Sequence, residues 1–150
     1  MVYLVSMTSL RSCVQFKGIS CTLVIRRLQP GIVLVVFQGH DTGEFGDAPF
    51  RELTADVQQH TPINLFIDGR GTLAASLDVS SNWAQWMCEN RERIAWLDIL
   101  VGSRFLQLTA EFVRRFSQFE DRMRIYTDPE AFETELKLLV RAARSKSSSF

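Results

Sequence analysis

From Gly31 to Phe37 the chain reads Gly-Ile-Val-Leu-Val-Val-Phe, an unbroken apolar run dominated by β-branched side chains. It is too short for a buried helix of ordinary length, and branching at Cβ suits a pleated strand. The run is therefore predicted to be a central strand, and the rest of the chain has to supply its neighbours. Cys21 to Arg27 is a weaker strand joined to it through Leu28-Gln29-Pro30-Gly31. Pro presets φ and Gly accepts positive φ, so Pro30-Gly31 predicts the turn of a hairpin.

Beyond the hairpin, helical and strand patterns alternate. Asp47-Ala48-Pro49 is a helix start with a capping carboxylate and Pro in the first turn, and Phe50, Leu53 and Val57 then share one face to about His60. Thr61-Pro62 ends that helix. Ile63 to Ile67 is a short strand that closes in the polar loop Asp68-Gly69-Arg70-Gly71. Val79, Trp83, Trp86 and Met87 recur at helical spacing from about Asp78 to Asn90, and Ile94 to Val101 is a strand interrupted by Asp98. Ser103 caps a third helix with Phe105, Leu108, Phe112 and Phe116 on one side and Arg114 and Arg115 near its end. Arg122 to Tyr126 is a last short strand. Thr127-Asp128-Pro129-Glu130 opens a final helix whose buried stripe is Phe132, Leu136, Leu139 and Val140.

Strands alternating with helices force crossover connections. The expected fold is α/β: a mixed, mostly parallel β-sheet of about five strands with an N-terminal hairpin and four helices. Residues 1–150 form one domain with its core at about 20–140, and the polar low-complexity tail 144–150 is expected to be disordered.

Lys plus Arg equals Asp plus Glu at 17 each, so no net field favours nucleic acid or an anionic membrane. Cys13, Cys21 and Cys88 lack metal-type spacing and fit free thiols in a reducing compartment. The first ten residues have no basic start and only a short apolar run, so neither an export signal nor a membrane span is expected, and the location expected is cytoplasmic.

The segment from Asp68 to Ser81 is the most informative for function, because open α/β sheets bind ligands at the carboxyl ends of their strands. It matches neither a dinucleotide fingerprint nor a phosphate-binding loop. Asp68, Arg70, Ser76, Asp78, Ser80, Ser81, Trp83 and Trp86 are the candidate residues for binding a partner or ligand. Ser76 or Asp78 capping the helix, and Asp68 pairing with Arg70, would be the purely structural account of several of them. His40, His60, Ser80, Cys88, Asp41 and Asp68 supply the residue types of a hydrolytic triad, but no Gly-x-Ser-x-Gly elbow is present. Catalysis is not expected; a hydrolase built on His40 and Asp41 is the minor alternative. No metal site or cofactor is expected. Trp83 and Trp86 with Phe105, Phe112 and Phe116 read as core, or else as the walls of a cavity for a small apolar ligand. Arg91, Arg93, Arg114, Arg115, Arg122 and Arg124, offset by nearby acids, read as solvated surface.

Ile63-Asn64-Leu65-Phe66-Ile67-Asp68, the helix start Asp78-Val79-Ser80-Ser81, the strand from Ala95 to Gly102 and the segment from Tyr126 to Phe132 resemble STAS-type domains. The likeness is greatest to the SpoIIAA-like branch grouped with Sec14-type lipid carriers, and in element order it covers roughly residues 20 to 140. In anti-sigma factor antagonists of this family the helix start reads Asp-Ser-Ser-Gly, with its second Ser the phosphorylated switch. Asp78 matches that Asp and Ser80 the switch Ser, whereas Val79 replaces the first Ser and Ser81 the Gly. The resemblance implies a regulatory module that engages a protein partner, with Ser80 as its modification site, or a carrier of a small apolar ligand or lipid. The hairpin leaves a free sheet edge through which two copies could pair.

Overall fold

The computed structural model describes residues 10–147, and the readings made above for 1–9 and 148–150 lie outside it. One six-stranded sheet carries β1 (Cys13–Lys17), β2 (Cys21–Gln29), β3 (Ile32–Asp41), β4 (Ile63–Ala75), β5 (Ile94–Val101) and β6 (Met123–Tyr126), side by side in chain order. β1, β2 and β3 pair antiparallel; β3 to β6 pair parallel. Gly31 takes φ +83° at the β2–β3 turn, as the Pro-Gly pair predicts.

The parallel strands are joined by α1 (Ala48–Gln59), α2 (Leu77–Glu89) and α3 (Arg104–Ser117). Crossovers between adjacent parallel strands share one hand, so helices that advance in one direction across a sheet fall on one face of it. Leu53 and Val57 of α1, Trp83 and Met87 of α2, and Leu106 and Val113 of α3 accordingly bury in one cluster over Ile25, Val35, Leu65 and Leu97. The fourth helix, α4 (Pro129–Ser147), turns back onto the other face, where Phe132 packs with Ile32, Phe66 and Leu100.

The mixed, mostly parallel sheet with its hairpin and four α-helices is as expected, but with six strands in place of about five. The sixth is β1, whose residues alternate between exposed and half-buried. An edge strand with a single covered side leaves too faint an apolar pattern to read in five residues. β4 also continues through the stretch read as a loop, with Asp68 opposite Val36 and Ala75 opposite Asp41 across two register shifts. Gly69 is required there for close approach, since a Cβ would lie 2.9 Å from the Leu100 carbonyl oxygen. Arg144 to Ser147 belong to α4, a correction to the disordered tail. Basic side chains at Arg144 and Lys146 suit a helix C-terminus, and Glu130 suits the N-terminus.

The largest correction concerns α3. Phe105, Leu108, Phe112 and Phe116 are between 43% and 60% exposed, and Leu106, Ala110, Val113 and Ser117 face inward instead. At 100° per residue the inward stripe lies about 120° around the helix from the aromatic one. Both stripes have helical spacing, so periodicity does not choose between them. Replacing Val113 with Ala is expected to cost about 1.5–2.5 kcal/mol, whereas Phe116→Ser should change stability by less than about 0.5 kcal/mol. Urea unfolding of both variants checks the orientation, because the reverse order of losses would require the aromatic stripe to be the buried one.

Two arginine contacts were not legible. Asp98, read as an interruption of β5, is held by Arg124 of β6 through Nε at 2.7 Å and Nη2 at 3.0 Å. Arg124 also lies over the Trp96 ring at 4.5 Å. Arg122 donates to the backbone oxygens of Arg91 and Ile94. These two arginines are thus structural, a correction to the solvated-surface reading.

Candidate functional site

Turning the phenylalanines of α3 outward leaves small groups where rings would have filled the interior. Ala110 of α3 faces Gly69, Thr72 and Ala75 of β4, and between them lies a cavity of about 120 Å³. Its floor is Phe37, Ile67, Ile99 and Val101 of the sheet, and its roof is Val79, Trp83 and Met87 of α2 with Leu106 and Val113 of α3. The lining is almost wholly apolar. The cavity is partly open to solvent. Its volume is close to the roughly 150 Å³ that an engineered dry cavity uses to hold benzene.

Ser80 belongs to this wall. It is 8% exposed and stands among the residues that line the cavity. Asp41, at the end of β3, also lines the cavity and is 5% exposed. One of its carboxylate oxygens accepts from the Gly43 N–H at 2.9 Å, and its carbonyl accepts from the Ser76 N–H at 3.0 Å. Nearby, burial and then the charges of Asp41 and Glu44 push the Cys21 thiol up to about 11, so it stays a protonated core group.

The residues singled out from sequence do not form one face. Strand alternation sends Ile67 and Gly69 toward the cavity and Asp68 and Arg70 to the opposite side of the sheet. There Arg70 pairs with Asp68 at 3.1 Å and with Glu133 of α4 at 2.7 Å, which ties α4 to β4. Ser76 is the cap of α2, its hydroxyl accepting from the Val79 N–H at 3.2 Å, while Asp78 is exposed in the first turn and Ser81 half-buried. Trp83 meets the Phe37 and Phe50 rings edge-on with centroids 5.4 and 4.8 Å away, and it lines the cavity. Trp86 faces α1, with its indole N–H on the Thr54 hydroxyl at 3.0 Å. Of the rings proposed as cavity walls, only Trp83 is one; Phe105, Phe112 and Phe116 are on the outside and Trp86 lies against α1. His40 is exposed and does not line the cavity.

Sequence reasoning missed Phe37, Asp41, Ile67, Ile99, Ala110 and Val113 as lining residues. The available signals were faint: a small residue in the apolar rotation of α3, and a carboxylate where an apolar strand ends. Among the described residues no group of His, Cys, Asp or Glu is arranged to hold a metal ion, and no helix is long and apolar enough to cross a membrane.

No family model matches the chain, and no curated protein matches it. Among solved structures it is similar to an uncharacterised protein of the DUF3478 family with a SpoIIAA-like fold from Shewanella loihica PV-4. The two are 14% identical, with a TM-score of 0.55 over 85% of this chain and 99% of that one. At that identity the likeness is one of fold, and the fold of this chain is SpoIIAA-like.

Proposed function

We propose that this domain is a non-enzymatic cytoplasmic regulatory module that binds a small apolar molecule between α2 and α3. The observation that carries this reading is the apolar cavity of about 120 Å³ at the carboxyl ends of β4 and β5, where open α/β sheets receive ligands. Binding is favoured over catalysis because the walls are apolar and His40, the better placed of the two histidines, is outside them.

α3 gives such a module a way to report occupancy. Leu106, Ala110 and Val113 touch the cavity from one side of the helix, and Phe105, Leu108, Phe112 and Phe116 are exposed on another. A ligand that shifts the helix changes both sides together, and a partner protein would read the outer one. Phosphorylation of Ser80 fits less well, since a phosphate on a residue only 8% exposed would require the start of α2 to open.

Toluene tests the reading. At ten times its Kd a ligand specific to the folded state contributes about 1.4 kcal/mol, so the melting temperature should rise by roughly 3–6 °C. Ala110→Leu fills the void from α3 and should weaken toluene binding at least tenfold while leaving the melting temperature of the free protein equal or higher. A wild-type melting temperature unmoved by any alkylbenzene from benzene to butylbenzene would overturn the proposal.

A further inference from the structure

We infer that the C-terminal half of α4 and the adjoining side of β2 dock on an anionic lipid membrane. Acids and bases balance over the whole chain but not along α4. Glu130, Glu133 and Glu135 fall in its first half, whereas Leu136 to Ser147 carries Lys137, Arg141, Arg144 and Lys146 with no acid. The helix dipole accounts for cations in the last turn only. Lys137 and Arg141 precede that turn, are exposed, and form no ion pair among the described residues. Like charges four residues apart on a helix repel, so the pair costs the helix stability. The nearest acids of α4 are engaged elsewhere, Glu133 by Arg70 and Glu135 by Arg124.

Lys137, Arg141 and Arg144 are spaced four and three apart, which puts them on one flank of α4. That flank edges an open apolar groove formed by Leu28 of β2 with Leu136 and Val140 of α4. Arg27 points to α1, so strand alternation places Arg26, exposed and also without an ion pair among the described residues, on the α4 side of β2. β1 and β2 contain no acidic residue to offset these cations. Cations beside an apolar groove match a bilayer of anionic lipid, which presents phosphate and carboxylate groups above acyl carbon. A nucleic acid would meet the cations but has nothing for the groove, and no aromatic ring lines it to stack on a base. A second copy would bring the same cations face to face.

The cavity between α2 and α3 lies on the other face of the sheet, so membrane binding and ligand binding are tested separately. Co-sedimentation of the full chain with vesicles measures the first. Wild-type protein is expected to bind phosphatidylcholine vesicles containing about 30% phosphatidylserine at low salt. It should leave them at about 0.5 M NaCl and ignore pure phosphatidylcholine. Each Lys or Arg near an anionic surface contributes about fivefold to partitioning, so Lys137→Glu/Arg141→Glu should lower it by at least about twentyfold. Arg104→Glu/Arg115→Glu makes the same change in net charge at exposed positions of α3, across the sheet, and should stay within about threefold of wild type. Equal losses from the two double variants would reduce the effect to net charge and overturn the inference. So would a wild-type protein that ignores the anionic vesicles, or one that binds polyglutamate or single-stranded DNA as tightly as lipid.

Discussion

Replacing Arg27 with methionine is expected to lower the unfolding free energy at pH 7 by about 3–5 kcal/mol. Arg27 reaches from β2 to α1, where Nε and Nη2 hold the two carboxylate oxygens of Asp56 at 2.8 and 2.9 Å. Nη2 also meets the Glu52 carboxylate at 3.1 Å, and Nη1 donates to the Arg11 carbonyl at 2.8 Å. Both partners are buried, with side-chain exposures of 8% for Arg27 and 3% for Asp56. Burial pushes the Asp56 carboxyl above its ordinary value of 3.8 against the pull of Arg27. Without the guanidinium, desolvation acts almost unopposed and the folded-state value rises further.

A carboxyl whose folded value lies above its unfolded one is penalised when charged. The penalty is complete above the folded value and disappears as pH falls below the unfolded value near 3.8. The deficit of Arg27→Met should therefore shrink between pH 7 and pH 4, which urea unfolding at the two pH values measures. Removing both charges in Arg27→Met/Asp56→Leu should recover most of the loss. A deficit equal at both pH values would assign the effect to packing of the arginine stem, with the charge contributing nothing.

Phe132→Ala is expected to cost about 3–5 kcal/mol, a large share of the 5–15 kcal/mol by which domains of this kind are stable. Among the described residues α4 is the single α-helix on its face of the sheet, and Phe132 is its most buried side chain at 1% exposure. The ring meets Phe66 and Tyr126 edge-on, each with centroids 5.7 Å apart. Leu136, Leu139 and Val140 are half-buried further along the helix and do not replace that anchor. Amide exchange should show α4 losing protection before the strands, while β3 and β4 remain protected. Uniform loss of protection across the sheet would mean that α4 is no separate unit of stability.

The sequence by itself determined the order of elements, the hairpin with its Pro30-Gly31 turn, the four helices and the SpoIIAA-like class. Each is written in a few neighbouring residues: β-branched runs, helical spacing, capping residues and turn residues act through local sterics and hydrogen bonds. Tertiary structure alone decided which stripe of α3 faces inward, because Phe105-Leu108-Phe112-Phe116 and Leu106-Ala110-Val113-Ser117 have the same period and differ in what waits for them on the sheet. It also decided that Asp68 and Arg70 lie across the sheet from Ser80, since the strand continued to Ala75 by pairing with a distant partner. The cavity is least legible of all, because a void is a difference between volumes contributed by β3, β4, β5, α2 and α3, and no window of sequence contains that sum.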